Sequence, residues 1–520
     1  MIGPSRADCL QALADRTFDL LVIGAGVIGA RIAYEAASVG LSTALIDRGD
    51  FAGATSSTSS KLIHGGLRYL ATGNLGLIRE SHSERVALVH HIAPHLVRPI
   101  RFVMPIYRGG PHSAPVVAAG LLAYSALSLF KDSHWRYLSP GAAAKLVPGL
   151  RTEGLRGGGM YLDAQTHDAR LCLATVKGAA AAGAIVLNHA EVVALEHSGR
   201  RLALASVRAP DVATPVEVRF RQVVNATGPW IDAVRRLEDP NCQAIARLSK
   251  GVHALLPLEA GWQAALTVPI DRVRVVFAIP WEGMLLLGTT DTEYHDDPAR
   301  VAVTPDDLTT VLGEASHALS PDLVRQGRVL SAFAGLRVLP WAPGDTANAP
   351  REHLVMVGPG GMVSVAGGKL TTHRRIAAQV LDQMRSALGL HANFPTDEPL
   401  PDSPSAAEGG VEGLRVKLKG RYPQLGDATV DHLVHLYGTA ASDLLIGGAP
   451  LDHGLDLIHV DGPDIWAQVH HAVEDEWALS VDDVVNRRTT VGPRGLIDAE
   501  LQRKIEKILA SDRHSSARSR

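Results

Sequence analysis

FDLLVIGAGVIGARIAYEAASVGLSTALID, residues 18–47, decides the fold class of this chain. An apolar run rich in β-formers, 18–23, ends in the glycine turn Gly24-Ala25-Gly26-Val27-Ile28-Gly29. Residues 30–39 suit a helix that Gly40 stops, and 41–46 reads as a second strand ending at Asp47. Strand, G-x-G-x-x-G, helix, strand and an acid 18 residues past Gly29 make a full dinucleotide fingerprint in the context it requires. Gly24 permits the tight turn, Gly26 lets backbone approach a pyrophosphate, and Gly29 allows close helix–strand packing. The helix N-terminus offers N–H groups and positive dipole to phosphates, while Asp47 can accept from ribose hydroxyls.

Working outward, 520 residues predict two or three domains at ~100–200 residues each. With 46% hydrophobic and 20% charged residues the chain is globular, which excludes a largely disordered one. Lys+Arg of 51 against Asp+Glu of 54 leaves a net charge of −3, with no basic excess for nucleic acid. Cys9, Cys172 and Cys242 are far apart and form no metal or disulfide spacing, so no metal and a reducing, cytoplasmic compartment are expected. Residues 1–19 lack the apolar core of a signal peptide. The uncharged stretch 116–130 spans only ~22 Å as a helix, short of a ~30 Å bilayer core. It reads as a buried core helix, or as one lying in a membrane surface beside Arg98, Arg101, Arg108 and Lys131.

Further along, a helix is expected over 175–183, strands over 184–195, and a buried strand running into a glycine turn over 221–230. Short alternating runs between 243 and 345 suit an antiparallel sheet. The strand–glycine pattern returns at 353–375. A Pro/Asp/Ser/Gly-rich linker is expected at 394–410, a helical domain at 411–510 with a capping box at Ser480–Asp483, and a disordered tail at 511–520. The region 18–393 then divides into cofactor-binding parts (about 18–110, 155–242 and 350–393) and a substrate domain of about 243–349 with intervening segments.

The fingerprint alone does not separate NAD from FAD; its single occurrence disfavours a second Rossmann-bound nucleotide. The segment just downstream is more specific. Thr55-Ser56-Ser57, Ser59-Ser60-Lys61 and His64-Gly65-Gly66 supply hydroxyls, a cation and flexible backbone where an extended dinucleotide would continue. ATSSTSSKLIHGGLRYL (54–70) resembles FAD-dependent glycerol-3-phosphate dehydrogenases, within the D-amino-acid-oxidase-like flavoprotein fold. Further matches follow in that family's order: APHLVRPIRFVMP (93–105), DARL (168–171), VVNATGPW (223–230), KGVHALLP (250–257), FAIPW (277–281), LLGTTDTEY (286–294), AGLRVLP (334–340), VAGGKLTTHRR (365–375) and AVEDEWALSVDDVVNRRT (472–489).

The resemblance implies an α/β fold: a Rossmann-like FAD-binding domain, an antiparallel-sheet substrate or cap domain, and an α-helical C-terminal domain. It implies non-covalent FAD and oxidation of sn-glycerol 3-phosphate to dihydroxyacetone phosphate, with the C2 hydride passing to flavin N5 and electrons to quinone. A homodimer, peripheral on the inner face of the cytoplasmic membrane, is implied with it. The absence of a C-terminal cysteine cluster and of an EF-hand loop fits the single-polypeptide bacterial type. An oxygen-reducing oxidase and an FAD dehydrogenase of another polyol phosphate remain alternatives.

By the same resemblance Arg68, Tyr69, His253, Arg337 and Lys369 line the substrate site, with Arg351 beside them. Arg337 is assigned to the C2 hydroxyl and developing carbonyl, and His253, titrating near neutrality, to the base. FAD would be held by Gly24, Gly26, Gly29, Asp47, Thr55, Ser56, Ser57, Ser60, Lys61, His64, Gly65, Gly66, Ala226, Thr227, Gly228, Gly368, Lys369, Leu370 and Thr371. Trp230 and Trp281 read as core aromatics. The sequence departs from the family pattern at Val252, at His373 and over 163–167, which bears on substrate specificity rather than on the cofactor.

Overall fold

The computed structural model describes residues 2–70, 74–128, 135–271, 274–341 and 353–518. Strands Val363–Gly367, Val216–Asn225, Thr17–Ile23, Thr43–Ile46 and Ile185–Leu187 lie side by side and parallel, the centre of an eight-stranded sheet. Their near-continuous apolar runs are what a parallel sheet covered on both faces requires. One cover is the helix Val27–Ser38, which leaves the glycine turn and is buried along most of its length. It packs against the helices Asp168–Ala181 and His373–Gln383.

The second sheet has ten strands, and the 243–345 region builds its antiparallel core: Ala246–Pro257 pairs with both Met284–Gly288 and Ser331–Pro340. Strands Val97–Tyr107 and Leu155–Thr166 also join it, paired antiparallel with each other. The sequence reading placed both with the cofactor-binding parts. The chain crosses between sheets several times, and such non-local pairing leaves no local signal.

The apolar stretch forms the helix Ala114–Leu127. Val117 and Leu121 pack over Gly159, where an added Cβ would collide with both side chains. Its opposite side faces out, with Val116 56% and Leu122 49% exposed, so it is not the fully buried core helix of the simpler reading. Among the described residues no helix is long and apolar enough to cross a membrane. Of the basic flank, Arg98 turns away and pairs with Glu282 at 2.8 Å.

The C-terminal region is helical, and Ser480 and Asp483 form the expected capping box. Its last helix, Ala499–Arg518, carries helical backbone into the stretch expected to be disordered. The connection near 394–410 is fastened rather than loose. Thr396 donates its N–H to Glu35, and its carbonyl accepts from Arg31 at 2.9 Å and Arg374 at 2.8 Å. Arg31 and Glu35, both wholly buried, pair one helical turn apart. Removing one partner strands the other charge in the core. Glu35→Ala should therefore cost about 3–5 kcal/mol in chemical denaturation and open 394–410 to protease, whereas adding Arg31→Met should restore part of the loss.

Candidate active site

The glycine turn is held between two parallel strands. Gly24 donates to Ile46 O at 2.7 Å, and Ala226 donates to Ile23 O at 2.8 Å. Gly24 sits at φ +101°, and a Cβ there would lie 2.6 Å from Ala226 O, so only glycine fits. No side chain of Gly26 caps the helix that follows; Val27 N–H donates to Ser56 Oγ at 2.9 Å. Asp47 accepts from Ala25 N–H at 2.6 Å and from Gly49 N–H at 2.9 Å. Burial outweighs those two bonds and pushes its carboxyl up to about 6.

The Ser/Thr-rich loop ties the two sheets together. Thr55, on the 3-10 helix Thr55–Ser57, donates to Leu336 O at 2.7 Å. Lys61 is turned inward, its Nζ 2.6 Å from Asp168 Oδ1 and donating to Ser57 O. Gly65 N–H donates to Asp163, which also accepts from Tyr124 at 2.9 Å and pairs with Arg85. His64 N–H donates to Thr371 Oγ1 at 3.1 Å, stapling this loop to the 365–375 segment.

From the second sheet, Arg337 donates to Thr289 Oγ1 at 2.8 Å, Thr290 O at 3.1 Å and Ser249 Oγ at 3.3 Å. Asp291 accepts from Ser249 at 2.5 Å and lies 3.8 Å from Arg337. A Cβ on Gly251 would lie 2.5 Å from the guanidinium, so this glycine leaves the arginine its room. His253 stacks on Phe333, centroids 5.0 Å apart, and its Nε2 meets Ser60 Oγ at 2.9 Å. Its buried Nδ1 has no hydrogen-bond partner in the protein. Burial, then Arg337 and Lys61, hold the imidazole well below its usual range, so it is neutral. That corrects the expectation that it titrates near neutrality.

These parts share one cavity of about 950 Å³. Its wall includes Gly24, Gly26, Asp47, Thr55, Ser56, Ser60, His64, Ala226, Thr227, Gly228, His253, Arg337, Gly368, Lys369, Leu370 and Thr371. Gly29, Ser57, Lys61, Gly65 and Gly66 are off it. Gly29 packs on Gly24 and Ala226, Ser57 Oγ bonds Ala54 O at 3.1 Å, Lys61 is spent on Asp168, and Gly65 N–H is turned to Asp163. Arg68 and Tyr69 belong to the 3-10 helix Leu67–Leu70, their side chains outside the described residues, as is the whole of Arg351.

The sequence reading missed Arg48, His189, Val192 and Arg208 on the wall and misplaced Trp230, which lines it under Arg48 at 4.7 Å. Trp281 is core. The departures Val252 and His373 are both buried away from the cavity. Val252 alternates with Gly251 and His253 to the other face of the strand, and His373 bonds Leu370 O at 2.7 Å.

Residues 19–374 match the model of the FAD dependent oxidoreductase family, and residues 404–511 match the C-terminal domain of alpha-glycerophosphate oxidase. The chain belongs to the FAD dependent oxidoreductase family. Among its relatives, "Glycerol-3-phosphate dehydrogenase 2" of Mycobacterium tuberculosis is 34% identical over 94% of this chain and 84% of the relative. The human mitochondrial glycerol-3-phosphate dehydrogenase is 33% identical over 94% of this chain and 69% of its own length. The crystal structure of the Bacillus halodurans glycerol-3-phosphate dehydrogenase complexed with FAD superposes with TM-score 0.77 at 26% identity, covering 98% of this chain and 97% of that one.

The residues present fit FAD. A glycine turn that a Cβ would fill, a helix N-terminus opening on the cavity and a half-buried carboxyl on the same wall are the parts a dinucleotide needs. Ribose hydroxyls donate more strongly to the ionised carboxylate than to the protonated acid, so FAD favours the form that burial disfavours. With Asp47 at about 6, the ionised fraction falls about tenfold between pH 7 and pH 5. The Kd for FAD, measured by fluorescence quenching, should rise over the same interval by up to about that factor. Asp47→Asn should bind weakly and flatten the dependence.

Proposed function

We propose that this flavoenzyme oxidises sn-glycerol 3-phosphate to dihydroxyacetone phosphate and passes the electrons to quinone at a membrane surface. The observation that carries the reading is that Arg337, Lys369 and His253 share one cavity wall with the glycine turn and Asp47. FAD, held by the glycine turn and Asp47, would supply the two-electron acceptor for the C2 hydride.

Arg337 is fixed by three neighbours, so its guanidinium meets the substrate's oxygens without reorganising. With Lys369 it supplies the cations a phosphate dianion and a developing carbonyl need. His253 is the proton acceptor. Kept neutral by burial and by Arg337 and Lys61, it keeps a lone pair throughout the cellular pH range, and a dianion bound at Arg337 raises its proton affinity when the substrate arrives. The proton of the C2 hydroxyl reaches Nε2 directly or through the Ser60 hydroxyl, 2.9 Å from it.

The outward face of the Ala114–Leu127 helix supports peripheral membrane attachment. Pro115, Val116, Ala119, Leu122, Ala123 and Ala126 are exposed there and uncharged. Quinone as acceptor, a homodimer and a place on the inner face of the cytoplasmic membrane belong to the same reading, carried by the family likeness.

Two experiments test it. In anaerobic rapid mixing with glycerol 3-phosphate, His253→Gln should slow flavin bleaching by ~10²–10⁴-fold, and an unchanged rate rejects it as base. Because the imidazole is neutral in the free enzyme, the wild-type rate at subsaturating substrate should fall only at a pH below the usual histidine range. In sedimentation with anionic phospholipid vesicles, Val116→Glu with Leu122→Glu should move the protein from pellet to supernatant.

A further inference from the structure

We propose that the C-terminal helical domain is part of the cofactor site: its 480–489 segment closes the adenosine end of the cavity, so that nucleotide binding and domain docking are one event. The proposal rests on FAD lying with its pyrophosphate at the glycine turn and its ribose at Asp47.

The turn after Asp47 serves both sides. Asp47 faces the cavity, and three residues on Asp50 faces the C-terminal domain, where it is wholly buried. Arg487 donates to Asp50 at 2.7 Å, and Arg488 donates to both its oxygens at 2.8 and 2.9 Å. The neighbouring turn is held in the same way. His189 N–H donates to Gly49 O at 2.7 Å, and its Nε2 lies 2.9 Å from Asp483. Asp483 in turn pairs with Arg487 at 2.6 Å and accepts from Ser480 N–H at 3.0 Å. Ser480, Asp482, Asp483 and Arg487 all lie on the cavity wall, with Arg48, His189 and Val192.

Asp50, His189 and Asp483 place ligand atoms within 4.8 Å of one another. With Arg487 on both carboxylates and Arg488 on Asp50, the trio is already charge-balanced, which makes it a lock between domains rather than a metal site. The loop that orients the ribose carboxylate is thus gripped by residues some 430 positions away. Ordering that loop around a nucleotide must order the grip, and loosening the grip must cost nucleotide affinity by the same factor.

The test is amide hydrogen exchange on the full-length apoprotein with ADP, FMN or FAD added. ADP and FAD should each slow exchange over 480–489 by about tenfold or more relative to the helices Asp427–Tyr437 and Ala440–Gly448, while FMN leaves the segment unchanged. Protection by ADP confined to 24–50 overturns the proposal and leaves the placement of FAD standing. Absence of ADP protection at 24–50, with FAD still bound, overturns that placement and the proposal with it. Arg487→Met should raise the Kd for FAD about tenfold without altering that for FMN. Equal effects on both cofactors, or none on FAD, contradict it, and should the variant fail to fold, exchange in the natural chain still decides.

Discussion

Two carboxylates on one short turn, the half-buried Asp47 and the buried Asp50, set the terms for much of this molecule. Removing a carboxylate from water costs several kcal/mol unless protein groups replace the lost hydration. Asp50 is fully compensated by two guanidiniums and the Asn188 amide. Asp47 has only two backbone N–H groups, and its raised pKa reports the shortfall. The turn is therefore anchored on one side and left wanting donors on the other, which is what a site that discriminates for a polyhydroxylated ligand needs.

A similar division appears where the two sheets meet. The loop over 54–66 uses its polar side chains mostly on protein: Thr55 on the second sheet, Ser59 and Lys61 on Asp168, and the Gly65 backbone on Asp163. Its role is to hold two sheets at a fixed separation, leaving Ser56, Ser60 and His64 on the cavity wall. The cations come one from each sheet. Arg337 is carried by a strand of the second sheet, and Lys369 by the turn that leads into the helix His373–Gln383.

How much of this could be read from residues alone follows the range of the interactions. The glycine turn, its flanking strands and the capping box at Ser480 were legible because each is decided within a few residues. The membership of Val97–Tyr107 in the second sheet was not, since it depends on the distant strand Leu155–Thr166. Lys61 was misread because a motif gives an address and not a direction, and the direction was set by Asp168, a residue quoted in DARL but given no role. Val252 was legible in principle: strand alternation puts Gly251 and His253 on one face and the residue between them on the other. The C-terminal contribution to the cavity had no local signal.

The two best-placed histidines show why residue type does not settle role. His432, at the contact between the second sheet and the C-terminal domain, is as buried as His253. Burial disfavours its charge too, but Asp464 at 2.8 Å and Glu282 at 3.4 Å outweigh it and raise the imidazole to about 9. It is a cation at neutral pH, a bridge between carboxylates that holds the contact and whose contribution is lost only as pH rises through that value. His253 has cations for neighbours, and burial and charge act on it in the same direction. Opposite neighbours turn one side chain into structural glue and the other into an empty proton acceptor, and the second condition also suits a dianion. Of the two cations that keep His253 unprotonated, Lys61 is held on Asp168 off the cavity wall and Arg337 stands on it, so in the proposed reaction it is Arg337 that both repels a proton from the free imidazole and meets the substrate's oxygens.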